Sequence, residues 1–372
     1  MFEKKLLAVA VVGTFALPGV VLAADSSKSG VPTLDQVLEA SGVSLNGYID
    51  AGYEYASKEP SDRVFDTKRN SFDLHQVGLT VAKQPKEGFG GLVNVTAGSD
   101  AQLIHSTPVE DSKFDVTQAY IQYATGALTV IGGKFVTLAG TEVIASPGNN
   151  NISRSILFGA IPFTHTGVRA TYTVNDMVSL TGGVNNGWDQ MQDLNKQKTV
   201  ELGVGLTPIK PLAVNIIGYF GSEPTGATSS ASKSLINIVA TWTMSDALSF
   251  GGEYVDVKQD EAGGPGSGSA KYSGLAGYVT YMLQDKWRIA GRLEWFKDTD
   301  GFHFPFTAGG VPVTPGTKYT EGTATLAYLP AKNTEIRGEI RTDKASNEFF
   351  DDGNGSLSKT MYSVGVQGIY KF

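Results

Sequence analysis

Apolar residues alternate with polar or small residues in short segments along most of the chain, from Ser44 onward. In the segment 334–341, Ile336 and Ile340 share one face of an extended chain, whereas Arg337 and Arg341 share the other. A period of two residues is typical of a β-strand with one apolar face and one wet face. The body of the protein is therefore predicted to consist of amphipathic strands, each about ten residues long.

The connections between these segments alternate between tight turns and long polar loops. Turn-forming residues occupy short connections such as 84–88, 208–211 and 330–333. Seven such turns and eight long loops make fifteen connections, and hence about sixteen strands. An even strand number, with short turns on one side and long loops on the other, is the pattern of outer-membrane β-barrels.

A soluble β-sandwich would need a second apolar face to pack against another sheet. Here the second face carries charged side chains, such as Glu335 and Glu339, which would make a poor dry core. A propeller would need a repeated blade motif, and the sequence has none. A closed sheet pairs every backbone group without leaving edges, as lipid requires. We therefore predict an all-β fold, a transmembrane antiparallel barrel of about 16 strands with short periplasmic turns and long extracellular loops.

The chain divides into three parts. Residues 1–24 combine Lys4 and Lys5 with an apolar run and small residues, which indicates a cleaved signal peptide rather than a membrane anchor. Residues 25–43 form a periplasmic segment with a short amphipathic helix at 31–41, which we expect to cap the structure or fill its base, with docking of a partner as the alternative. Residues 44–372 form the barrel. Such an exported chain belongs in the outer membrane of a Gram-negative bacterium.

Composition narrows the function. Charged residues make up 18% of the 372 residues, against roughly 25% in soluble domains. The net charge of −7 argues against nucleic-acid binding. The chain has no cysteine, which excludes disulfides, iron–sulfur clusters and covalent c-type haem. We predict no cofactor and no metal site.

The last strand of the chain carries aromatic residues on one face, ending in Tyr370 and Phe372. This resembles the C-terminal signature that the barrel-insertion machinery recognises, and we assign these two residues as the insertion signal. Outer-membrane lipid, lipopolysaccharide and this machinery are the expected partners. A homotrimer is expected by analogy with general porins of this size.

Several runs near the middle of the chain resemble one family. They are NISRSILF at 151–158, IPFTHTGVR at 161–169, NNGWD at 185–189 and DLNK at 193–196. Together they resemble the putative β-barrel porin-2 family, also called OmpL-like. The resemblance implies a porin-like barrel in the outer membrane, and it supplies neither a substrate nor functional residues.

Barrels of about 16 strands enclose an aqueous channel. The leading hypothesis is therefore a porin for passive diffusion of small hydrophilic solutes and ions. The alternative is a barrel that sheathes a partner, such as a multihaem cytochrome in an electron conduit across the outer membrane. An adhesin or receptor that uses the long loops is a third class. No nucleophile motif accompanies the four histidines, so the protein is not expected to be an enzyme.

Two sets of residues are candidates for the channel. The longest loop, near 139–164, is expected to fold inward by analogy with general porins, and its constriction candidates are Glu142, Arg154, His165 and Arg169. Strand parity gives the pore-lining candidates, which are Asp50, Glu54, Lys134, Glu201, Glu253, Arg288, Arg292, Glu294, Glu335, Arg337, Glu339 and Arg341. Their mixed signs leave the ion preference open.

Overall fold

Antiparallel strands close into a barrel of sixteen within the residues that the computed structural model describes, which are 32–108, 112–225 and 229–372. The signal peptide predicted at 1–24 lies outside them. Each strand pairs with its neighbour along the chain, and the last strand pairs with the first, so that Tyr48 lies opposite Lys371. The predicted fold class and strand number are confirmed.

The strands are of uneven length, and a small hairpin lies outside the barrel sheet. The barrel strands are β1 (Ser44–Ala56), β2 (Asn70–Lys83), β3 (Gly88–Ala97), β4 (Phe114–Thr125), β5 (Leu128–Val136), β6 (Thr164–Asn175), β7 (Val178–Asn185), β8 (Thr199–Ile209), β9 (Leu212–Pro224), β10 (Ser230–Thr243), β11 (Leu248–Gln259), β12 (Ala270–Gln284), β13 (Trp287–Asp298), β14 (Thr317–Ala331) and β15 (Thr334–Ala345), followed by β18 (Thr360–Lys371). Strands β16 (Phe350–Asp351) and β17 (Leu357–Ser358) form the hairpin.

The two faces of the barrel wall differ as the alternation predicts. On β15, the side chain of Ile340 is 64% exposed, whereas the neighbouring Arg341 is only 3% exposed. The apolar residues face outward, where lipid covers them, and the charged residues face the lumen. Closure of the sheet pairs the backbone groups of β1 with those of β18, so neither strand leaves an edge in the membrane.

Long loops join the strands on the extracellular side, and we number them L1 to L8 in chain order. They comprise L1 (57–69), L2 (98–113), L3 (137–163), L4 (186–198), L5 (225–229), L6 (260–269), L7 (299–316) and L8 (346–359). The fifth is shorter than the long polar loop that its sequence suggests, because β9 and β10 pair as far as Pro224 and Ser230. Alternation continues through those residues although they are small and polar.

One helix precedes the barrel. The helix α1 (Leu34–Ser41) begins at Thr33, whose side chain caps the first turn together with Gln36, and it ends at Gly42, whose φ of 67° suits glycine. None of its residues is buried, so it does not fill the base of the barrel as expected. Within the described residues, no helix is long and apolar enough to cross a membrane.

The apolar core lies inside the barrel rather than between layers. Leu157 of L3, Phe296 of β13, Tyr319 of β14 and Phe349 of L8 are all buried in one cluster. This cluster occupies the extracellular half of the lumen, where L3, L7 and L8 meet the strand ends. The barrel is therefore filled by its own loops in that half.

Candidate functional site

L3, the longest loop of the described chain, folds into the lumen. It includes the short helix α2 (Ile156–Gly159), which begins after the N-cap Ser155. The first residues of the loop already leave the β5–β6 wall, and the N–H of Leu138 donates to the hydroxyl of Tyr219 on β9, four strands away (3.1 Å). L3 therefore crosses the barrel instead of extending into the medium.

Carboxylates of the wall bind the main chain of L3. Glu294 on β13 accepts the N–H of Ile156 on Oε2 (2.8 Å) and that of Leu157 on Oε1 (2.7 Å). Both carboxylate oxygens are thus used on the first turn of α2, where N–H groups lack partners within the helix. A buried charge of this kind is retained only if it is well hydrogen-bonded.

Glu339 on β15 binds the main chain of L3 in the same way, four residues earlier in the loop. Its two oxygens accept the N–H groups of Ile152 (2.6 Å) and Ser153 (3.0 Å). Thr325 on β14 donates to the same carboxylate (2.6 Å). Consecutive main-chain N–H pairs of L3 are therefore held by single glutamates on two different strands.

The start of L3 is held in the same way. The N–H of Gly140 donates to Oδ1 of Asn237 on β10 (2.9 Å), and the N–H of Thr141 donates to Oε2 of Glu253 on β11 (2.8 Å). Gly140 has a φ of 94°, and a Cβ there would lie 2.5 Å from Cδ1 of Ile161. A larger residue at this position would be strained by that φ and would push the tip of the Ile161 side chain aside.

Arginines of the wall bind the carbonyl groups of L3. Arg337 donates to the carbonyl oxygen of Asn149 (2.7 Å), and Arg341 donates to that of Arg154 (2.6 Å). Arg292 donates to the carbonyl oxygen of Ser153 (2.8 Å). The wall therefore supplies both donors and acceptors to a loop whose backbone has no strand or long helix to satisfy it.

The four predicted constriction residues have different surroundings. Glu142 lies on L3 and accepts from Arg292 (2.6 Å) on one oxygen and from the N–H of Ser155 (2.7 Å) on the other. Arg154 donates to three carbonyl oxygens of L3 itself and so braces the loop from within.

The other two lie on β6 rather than on the loop. His165 is fully buried and stacks on Tyr219, with ring centroids 4.5 Å apart. Arg169 forms an ion pair with Glu201 (2.7 Å) and lies 4.2 Å from the ring centre of Phe135. Only Glu142 and Arg169 border the larger cavities described below.

The predicted pore-lining residues lie on the inner face, where six of the twelve form hydrogen bonds with L3 and others pair with charged residues of neighbouring strands. Lys134 pairs with Asp115 (3.1 Å), and Arg288 pairs with Glu335. The buried members of the set are Asp50, Glu54, Lys134, Glu201, Glu253, Arg292, Glu294, Glu335, Arg337, Glu339 and Arg341, whereas Arg288 is partly exposed. Parity identifies the inner face of a strand, but it carries no information on what covers that face.

Three cavities larger than about 100 Å³ border L3 in the described part of the lumen. The largest, about 590 Å³, lies along β4–β9. A second, about 200 Å³, lies between L3 and β1–β5, and a third, about 110 Å³, lies between L3 and β10–β13. Leu138 borders the first two and Glu142 the last two. The free space of the lumen is thus arranged around the loop.

Sequence reasoning missed several residues that hold L3. Gln76 on β2 accepts the N–H of Ser146 (3.1 Å) and donates to the carbonyl oxygen of Ile144 (3.0 Å). The adjacent His75 is buried as well, because the β1–β2 register shifts between Asp50 and Ala51. Two neighbouring inward residues break strict alternation, so a parity count passes over them. For Tyr219 and Asn237, the only signal in the sequence is that a polar side chain occupies a position that strand parity places on the inner face.

L2 and L4 meet above the start of β6. Thr107 and Gln190 form a parallel bridge, and the N–H of Thr107 donates to the carbonyl oxygen of Asp189 (2.7 Å). The hydroxyls of Ser106 and Thr164 are hydrogen-bonded as well (2.7 Å). The two loops together cover the extracellular end of the β4–β8 side of the lumen.

Asp189 links L4 to the end of L3. Its Oδ1 accepts the N–H groups of both Phe163 and Thr164, each at 2.8 Å. Removal from water raises the pKa of this carboxyl to about 6, although the two hydrogen bonds act in the opposite direction.

The described residues contain no group of three or more His, Asp or Glu side chains placed to hold a metal ion.

Solved porin structures share this architecture. OprB of Pseudomonas putida matches with a TM-score of 0.63 and 13% identity over 90% of this chain and 96% of that chain. An anion-selective porin from Comamonas acidovorans matches with a TM-score of 0.61 and 11% identity over 89% and 99%. OmpT, an outer-membrane protein of Vibrio cholerae, matches with a TM-score of 0.60 and 14% identity over 89% and 97%. At such identities the likeness concerns the fold.

A comparison with curated protein sequences finds no match. The family model described as putative beta-barrel porin-2, OmpL-like, matches residues 42–372, which is the whole barrel. The match confirms the resemblance seen in the runs 151–169 and 185–196, as well as the porin function and the outer-membrane location inferred from the strand pattern. The chain therefore belongs to the putative beta-barrel porin-2 (OmpL-like) family of outer-membrane porins.

Proposed function

We propose that this porin carries small hydrophilic solutes and ions passively through the part of the lumen beside L3, along β1–β9. The observation that supports this route is the position of the two larger of the three cavities described around L3, which both lie on this side of the loop. On the other side, β10–β15 hold L3 directly through Glu253, Glu294 and Glu339. Water therefore has room on one side of the loop and little on the other.

The width of this path depends on L3. The loop is held by charged groups of the wall, and such groups also set the field that a permeating ion meets. Glu142 and Arg169, which border the cavities, are the best candidates for residues that a solute passes. A passage of this kind needs neither a nucleophile nor a cofactor, and the protein acts as a channel rather than as an enzyme.

A sheath around a cytochrome is not favoured. L3 crosses the space that a partner would occupy, and its contacts with Tyr219, Glu294 and Glu339 span the barrel. A partner would have to displace the loop and leave these buried carboxylates without their hydrogen bonds, at a cost of several kcal/mol.

The assembly in the membrane is part of the proposal. We expect contact with outer-membrane lipid and lipopolysaccharide, and insertion by the barrel machinery through Tyr370 and Phe372, which are exposed on the outer face. A homotrimer is proposed by analogy, and OmpT of Vibrio cholerae has been solved in a trimer form.

Conductance in a planar lipid bilayer tests the function. The refolded mature protein should give steady single-channel steps under a salt gradient, and the reversal potential should report which ion passes preferentially. The control is the same preparation after heat denaturation. Silence from protein that is shown to be folded and inserted would overturn the proposal.

A further inference from the structure

The cavity between L3 and β1–β5, about 200 Å³, has two chemically different walls. The loop side is apolar and is formed by Leu138, Val143, Ile144, Phe158 and Phe163. The strand side is more polar: it carries Asn46, Thr80, Asn94, Thr96, Thr117 and Gln118, beside the apolar Ala82 and Leu92. This space is not needed to keep L3 in place, because the loop is held by hydrogen bonds with Glu253, Glu294 and Glu339 across the barrel and with Gln76 on β2.

No free charge faces this cavity. Glu142 is the only acidic or basic residue on its lining, and both of its carboxylate oxygens are already engaged, one by Arg292 and one by the N–H of Ser155. An ion placed here would lose its hydration without gaining an opposite charge. This cavity therefore favours neutral molecules, and ions are left the larger cavity along β4–β9, which Arg169 lines.

The polar wall retains hydrogen-bonding capacity. The hydroxyls of Thr96 and Thr117 bond to each other (2.8 Å), and Asn94 donates to Thr80 (2.9 Å). Each hydroxyl can act both as a donor and as an acceptor, so each has capacity beyond the single bond it makes here. A ligand hydroxyl or carbonyl can thus be bound on the strand side while an apolar ring lies against L3.

We propose that this cavity is a binding site for small uncharged amphipathic solutes, with a ring or short aliphatic part against L3 and a hydroxyl or carbonyl group against β2–β4. This inference rests on the proposed function, because such a site selects which solutes reside in the channel. A space of about 200 Å³ is smaller than a pocket for a drug-sized ligand and fits a single ring with a polar substituent.

Saturation-transfer NMR on the protein in nanodiscs tests the site with three probes. They are 4-hydroxybenzyl alcohol, its charged analogue 4-hydroxybenzoate, and glycerol, which lacks an apolar face. We expect the alcohol to bind about tenfold more tightly than the benzoate, because the anion is not compensated, and glycerol to give no signal. Equal binding of alcohol and benzoate would overturn the proposal.

Matched variants locate the binding. Ala82 borders the cavity and faces inward, whereas the adjacent Val81 is 43% exposed on the lipid face. Ala82→Phe should fill the cavity and abolish the alcohol signal, and Val81→Phe should leave it unchanged. If Ala82→Phe fails to fold, the nearly isosteric pair Thr96→Val and Thr117→Val should reduce binding at least severalfold, because it removes two hydroxyls and keeps the shape.

The readouts separate this inference from the proposed function. A protein that conducts but shows no binding of the alcohol, or an Ala82→Phe variant that binds it like the wild type, contradicts the binding site and leaves the channel intact. A folded protein that binds the alcohol and never conducts contradicts the channel alone.

Discussion

Thr107 of L2 and Gln190 of L4 form a parallel β-bridge, which joins two loops that are distant in the sequence. We expect a disulfide at this place, made by Thr107→Cys with Gln190→Cys, to lower single-channel conductance. The bridge covers the β4–β8 side of the lumen, and a fixed bridge would prevent the loops from separating. The chain has no native cysteine, so the introduced pair is the only one that can form.

Reduction of that disulfide should restore the conductance within the same experiment. Each single-cysteine variant serves as a control and should respond to neither oxidant nor reductant. Oxidised protein that conducts like the wild type would show that solutes do not pass beneath the L2–L4 contact.

Replacement of Glu339 by Gln should loosen L3. The carboxylate accepts two consecutive main-chain N–H groups on separate oxygens, whereas an amide offers only one acceptor oxygen. The loss of one buried hydrogen bond costs about 1–3 kcal/mol, so the loop should leave its position more often. Larger or noisier single-channel currents are the expected result.

Glu39→Gln is the matched control, because Glu39 lies on the exposed surface of α1. It should conduct like the wild type. An unchanged current from Glu339→Gln would mean that L3 is held well enough by its remaining contacts.

Replacement of Arg292 by Met should destabilise the folded barrel. The guanidinium group bonds Glu142, Glu321 and the carbonyl oxygen of Ser153, and it has no contact with water. Removal of one partner from such a network leaves uncompensated buried charge, which costs about 3–5 kcal/mol. The measurement is the midpoint of thermal unfolding, followed by heat-dependent migration in a gel.

Lys258→Met is the comparison for Arg292→Met. Lys258 forms an ion pair with Asp260 (3.1 Å), but more than half of its side chain is exposed. Its replacement should leave the midpoint almost unchanged, because exposed pairs contribute little. Equal shifts from the two variants would contradict the central place of Arg292.

Asp189 should make the stability of the L3–L4 contact depend on pH. Its pKa in the folded protein is raised to about 6, so between pH 4 and 6 the folded state binds more protons than the unfolded state. The contribution of this group to stability is therefore full at the acidic end and falls as the pH rises through about 6. Hydrogen exchange at the N–H groups of Phe163 and Thr164 measures the effect.

Asp189→Asn separates charge from hydrogen bonding. Both N–H groups donate to the same oxygen, Oδ1, and asparagine retains that oxygen. Exchange in this variant should become independent of pH between 4 and 7, after correction for the intrinsic rate. A profile like that of the wild type would assign the titration to another group.

The barrel could be predicted because the alternation of apolar and polar residues is visible within each short segment of the sequence. Alternation along segments such as 334–341 reports which face meets lipid, and turn residues report where strands end. The inward position of Arg292 and Glu294 also follows from parity. The partners of these residues do not, because the contacts of Glu294 with Ile156 and Leu157 join positions more than 130 residues apart. Strand parity did not identify His75 and Gln76, because a register shift between β1 and β2 places both side chains inside the barrel.

Because Glu294 and Glu339 bind N–H groups rather than side chains of L3, the path of the loop is largely independent of which residues it carries at those places. Every residue except proline offers the same N–H group. Side chains at those positions of L3 can therefore change, and with them the surface that a solute meets, without a change in the path of the loop. The width of the pore is then set by a few glutamates of the wall, which hold the main chain of L3.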